Sequence, residues 1–273
     1  PLEIIRKGAL YFKLEWKHSR VIGLGEFINL IGLIIRTDNI GSNLNFISLC
    51  FLLLVTYNYT SNKQINILLT LVILSTPLLL QLIPNQKPQF YGVCAIVIPI
   101  IAIIKNTNIY SKHLFVIIGS VFFGISLKYS FYVSGGIALL FIIYTMNNKL
   151  RINILYCIIL YLIFLFPLHL LKYNFFGDPI SPMLSMFINN GPVEHQFYNE
   201  FKSGTDGYAM PLGFFIPKYV GNLSTIVGVG ILTLFGVNKV RQHSKIYFIF
   251  SLILFFSIFV FGQNVSRSYF EPL

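Results

Sequence analysis

Ionisable side chains are scarce in this chain, and their placement limits the chemistry open to it. Nine Asp and Glu stand against twenty Lys and Arg among 273 residues, a formal charge of +11. The long apolar runs that could cross a membrane hold no carboxylate. Polar residues gather instead at run ends: Arg36 with Asp38, Lys87, Lys128, the stretch 172–218, and Arg267 with Tyr269. Cations at such positions suit phosphate, Arg through a bidentate fork and Lys as a point charge. They also suit plain anchoring, because Lys and Arg at helix ends reach out to headgroups. Within 172–218, Asp178, Glu194, His195 and Asp206 can accept hydrogen bonds from hydroxyl groups. Metal chemistry is not indicated: there is no D-x-D, and Cys50, Cys94 and Cys157 lie far apart in apolar runs without a CxxC. No cofactor is identified. His169, close to Pro167 inside a run, reads as a hydrogen-bonded helix residue, and the Gly135–Gly136 pair as a place for close helix approach.

The elements that must position these groups are helices. Hydrophobic residues make up 55% of the chain and charged ones 11%, with a mean hydropathy of +0.73. A typical soluble domain is about 25% charged, so a polytopic membrane protein is expected. A spanning helix needs about 20 apolar residues. The candidates are 44–59, 65–84, 89–104, 113–127, 129–146, 152–171, 219–236 and 245–262. A ninth segment, 21–35, is interrupted by glycines and Glu26 and suits the interface plane as well as a crossing. The run 113–146 would give about 50 Å of helix, too long for one crossing, so a break at Lys128 is expected. Strands are excluded, since the runs are apolar on both faces.

Charge sets the orientation. The connections 60–64, 105–112, 147–151 and 237–245 hold eight basic residues and no acid. The alternate set, 85–88, Lys128, 172–218 and 263–273, holds six basic residues and five acids. The positive-inside rule puts the first set in the cytoplasm and the second outside. The fold expected is an all-α transmembrane bundle of about eight or nine apolar segments with one long outer-face loop. It divides into an outer juxtamembrane segment (1–43), a helix bundle (44–171), the outer loop (172–218), and a C-terminal helix pair with an outer tail (219–273). A bacterial inner membrane suits this pattern. Nucleic acid is excluded as a partner, because no basic cluster is dense enough to bind it.

Several segments, taken in order, are similar to polytopic GT-C glycosyltransferases and their uncharacterised bacterial relatives. Gly124-Ile-Ser-Leu-Lys128-Tyr129-Ser130 resembles their G-hydrophobic-small-hydrophobic-x-K-Y/F signature. Val21-Ile-Gly-Leu-Gly25, then Arg36, then Asn39-Ile-Gly-Ser42-Asn43 resembles a VxGLGxL…R…NS stretch. Tyr173 to Pro182 resembles an N-x-x-x-G-N-P-h-x-P loop, with Asp178 where Asn is commoner. Pro211 to Gly230 resembles the proline-bounded start of a late span, and Ser266-Arg267-Ser268-Tyr269 an outer-face R-Y element with one extra residue.

This resemblance implies transfer of a sugar from a polyprenyl-phosphate carrier to an envelope acceptor at the outer leaflet. A base would activate the acceptor hydroxyl while cations stabilise the departing lipid phosphate. Lys128 and Arg267, with Tyr269, are the phosphate-side residues; Asp178, Glu194, His195 and Asp206 are the acceptor-side ones. The partners are a polyprenyl-phosphate-linked sugar and membrane lipid. The chain starts at Pro1 without Met and stops just after an apolar run, so it reads as a fragment. The resemblance then places the catalytic acid upstream of Pro1; Glu3, Glu15 and Glu26 match no acidic motif and receive no catalytic role. A flippase or polysaccharide permease, and a non-catalytic membrane scaffold, are the rival readings.

Overall fold

A computed structural model describes residues 22–37, 39–105 and 109–181. Among these the secondary structure is entirely helical: α1 (Leu24–Ile34), α2 (Ile40–Tyr57), α3 (Lys63–Leu74), α4 (Pro77–Leu82), α5 (Phe90–Lys105), α6 (Ser111–Leu127), α7 (Phe131–Thr145), α8 (Leu150–Phe164) and α9 (Phe166–Phe176). A 3-10 turn at Asn147–Lys149 leads into α8. The expected segments 219–236 and 245–262 lie outside the described residues.

Local chemistry sets most of these boundaries. The Asn62 side chain accepts from Gln64 N at 3.0 Å and starts α3. Thr76 is held extended ahead of Pro77, and that proline opens α4 at its first position. The run 65–84 is therefore two helices, where sequence predicts one. Lys128 is extended, with φ −156° and ψ 140°, so the run 113–146 breaks where expected. Leu165 and Pro167 divide the run 152–171 into α8 and α9, bent by 47°. Gly177, at φ 69°, closes α9 in the left-handed conformation. The start of the expected outer loop, 172–176, is thus helical.

The core lies between α5, α6 and α7. Ile100 and Ile103 on α5, Leu114, Ile118 and Val121 on α6, and Phe141 and Ile142 on α7 are all buried. α8 packs on α6, and α2 packs on α5 and α3. Close approach depends on glycine. A Cβ on Gly135 would strike Ile125, and one on Gly92 would strike Phe131, whereas Gly136 faces open space. The outward faces are apolar as well: Phe46, Phe51 and Leu54 on α2, and Leu155, Ile158 and Leu162 on α8 are exposed. Exposed apolar area this continuous marks an interaction with lipid or protein. α2, with 18 residues, is long and apolar enough to cross a membrane, and α8 with α9 passes the same test as a bent pair.

The connections gather at two ends. At one end the Lys105 ammonium donates to Asn58 O, and Lys149 donates to Ile109 O. At the other end the 82–91 turn, the start of α2 and the α6–α7 junction meet. α1 lies across that second end. Its N-terminus rests on Leu127, its middle on Gln86, and its C-terminal end on the start of α2.

Candidate functional site

The second end collects the segments that carry the sequence signatures. Gly23 and Gly25 are buried because α1 sits directly on the last turn of α6. A Cβ on Gly23 would strike the Leu127 carbonyl, and one on Gly25 would strike the Pro88 ring. These glycines fix α1 beside Lys128. The Lys128 carbonyl accepts from Phe131 N at 3.0 Å and Tyr129 O from Tyr132 N at 3.2 Å, a tight turn into α7. Lys128 itself is half-buried.

Glu26 and Asp178 are the two carboxylate side chains among the described residues. Glu26 sits in the first turn of α1, close enough to Tyr91 to act on its hydroxyl electrostatically. Tyr91 is 4% exposed, and its hydroxyl has no hydrogen-bond partner. Asn29, one turn on, donates to Gln86 O at 2.9 Å and leaves its own carbonyl oxygen unpaired. Gly41 N donates to Gln86 Oε1 at 3.0 Å, tying the start of α2 to the same turn.

Asn45 anchors this turn from below. Its amide donates to Leu82 O at 3.0 Å and Asn85 O at 2.7 Å, and its Oδ1 accepts from Tyr91 N at 3.1 Å. Sequence reasoning did not single out Asn45, Gln86 or Tyr91. An amide inside an apolar run was the available signal for Asn45, since a buried polar group needs a partner.

α9 approaches from the side. His169 Nε2 lies 2.9 Å from the Tyr132 hydroxyl and Nδ1 lies 3.1 Å from that of Tyr161, so the expected hydrogen-bonded role is met at both ring nitrogens. Beyond it, Lys172 is 2% exposed and donates to Ser181 O at 2.8 Å. Asp178 is buried near that ammonium and accepts from Ile180 N at 2.8 Å. Its carboxylate thus organises the 177–181 turn. Arg36 and Lys87 lie at this end too. Glu194, His195, Asp206, Arg267 and Tyr269 lie outside the described residues.

The arrangement offers one half-buried cation, one half-buried carboxylate and two unpaired oxygens around the seat of α1. Among the described residues no group of three His, Cys, Asp or Glu is placed to hold a metal ion. No curated protein and no solved structure matches the chain. Its sequence matches the DUF1420 N-terminal domain over residues 1–273, and the chain belongs to the DUF1420 family.

Proposed function

We propose that this chain is a polytopic membrane protein that transfers a sugar from a polyprenyl-phosphate carrier to an acceptor at the outer leaflet. One observation carries the reading. The resembling segments at 23–25, 39–43 and 124–130 are far apart in sequence, yet they meet at one end of the bundle, 23–25 on Leu127 and Pro88 and Gly41 on Gln86. That end is also the outer one by the charge rule, since Lys63, Lys105, Lys112, Lys149 and Arg151 collect at the opposite end. In this reading Lys128 and Arg267 stabilise the departing lipid phosphate, with Tyr269 beside them. Glu194, His195 and Asp206 bind the acceptor, and Asp178 shapes the start of their loop. The absence of a carboxylate deep in any described helix favours transfer over an ion-driven flippase, which would place one near the midplane.

The test is turnover of a polyprenyl-phosphate sugar by the full-length protein. Lys128→Ala and Arg267→Ala each remove a charge-assisted contact worth about 1.5–3 kcal/mol, which predicts a loss of about 10- to 150-fold. Arg267→Lys should recover only part, because an ammonium lacks the planar fork. Wild-type turnover in both alanine variants would return these residues to simple anchoring.

A further inference from the structure

The two ends of α1 differ in what they meet. Gly25 is buried, and Leu24 and Ile28 pack on the core. In the last turn only Gly32 is buried, and Ile31, Ile34 and Ile35 are 56%, 64% and 61% exposed. Arg36 follows at once, exposed and at φ 60°. This left-handed residue closes α1, with Arg36 N donating to Leu33 O at 3.1 Å and Thr37 N to Gly32 O at 2.9 Å. Glycine would fit this position at no steric cost.

We propose that the C-terminal turn of α1 docks on the membrane surface: Ile31, Ile34 and Ile35 enter the acyl layer, and Arg36 binds the phosphate of an anionic glycerophospholipid. Three features select lipid over a protein partner. The spanning-length helix α2 starts at Ile40, five residues after Ile35, so the exposed trio sits at the depth where apolar surface begins. Phe46 and Ile47 continue that apolar surface down the outside of α2. The one cation at the edge of the trio stands where a headgroup phosphate would be, and an arginine fork matches phosphate oxygens in pairs. This inference rests on the membrane part of the proposed function and not on sugar transfer.

Two measurements on the full chain test it. The first places a nitroxide on Ile34→Cys, in a background with Cys50, Cys94 and Cys157 changed to Ala, in vesicles of phosphatidylcholine and phosphatidylglycerol. High oxygen and low nickel-chelate accessibility are expected; water-like accessibility overturns the proposal. The second is native mass spectrometry of protein titrated with phosphatidylglycerol or phosphatidylcholine. Arg36→Gly should retain about fivefold less phosphatidylglycerol, the equivalent of about 1 kcal/mol for one cation at an anionic surface. Phosphatidylcholine retention should not change. The thermal midpoint of Arg36→Gly should equal or exceed that of the parent, because glycine relieves the backbone. Unchanged phosphatidylglycerol retention overturns the proposal. So does a lowered midpoint accompanying the loss, since Arg36 would then be a structural residue. Failure of the sugar-transfer assay leaves both readouts intact, so the two proposals fail separately.

Discussion

Asn45 has no exposed surface, yet its amide is fully engaged. It clamps a turn 37 to 46 residues away by satisfying backbone groups that would otherwise be buried without partners. Over shorter spans, Asn66 accepts from Thr60 N and donates to Thr60 O, and Asn153 donates to Met146 O. Amides replace charges as the fasteners of this bundle, which fits a chain with so few carboxylates: an amide supplies donor and acceptor without the cost of burying a charge. Asn45→Ala should therefore lower stability by about 1–3 kcal/mol, because the Leu82 and Asn85 carbonyls and the Tyr91 N–H lose their partner together. Asn58→Ala is the natural comparison. The Asn58 side chain is exposed and bonds only within its own helix end, so a change within about 0.5 kcal/mol is expected. Thermal unfolding of the detergent-purified protein decides between them, and equal midpoints would dismiss the clamp.

At the scale of elements, two glycines make opposite forecasts. Gly23→Ala pushes a methyl group into the Leu127 backbone, which cannot rotate away, so α1 must lift from the α6–α7 junction at about 1–3 kcal/mol. Gly136→Ala meets nothing and should gain up to about 1 kcal/mol from helix propensity. Opposite shifts in unfolding midpoint are expected, and a matched pair of losses would contradict the α1 seat. The same contacts explain what sequence made legible. α5 and α6 stand within two residues of the expected spans because lysines bound their apolar runs. The Lys128 break was legible from length alone. The end of α9 was not, because hydropathy stops counting at Lys172, whereas a backbone keeps its hydrogen bonds until Gly177 can terminate it. Nor was the grouping of Glu26, Tyr91 and Gln86. Such long-range contacts leave no periodic trace, and sequence weighed Glu26 as an interruption of the 21–35 segment and as an acid without a motif.

For the whole molecule, the separation of cations is the feature to test. Single cysteines at Asn148 and Gln242 should resist an impermeant thiol reagent in intact cells, and one at Ser203 should react. Asn148 lies beside Lys149 at the lysine-rich end; Gln242 and Ser203 lie outside the described residues. Labelling of the first two and not the third would invert the bundle. α1 has its own bearing on this count. Because it lies across the second end, Ile22 and Thr37 emerge on the same side, and in the proposed membrane reading the segment adds nothing to the parity of crossings. Hydropathy arithmetic that scores it as a span would flip the sign of everything before it. Under that proposal Ile22 and Lys128 share one face, and the segment from Leu24 to Ile34 is a brace laid over the bundle end and not a crossing.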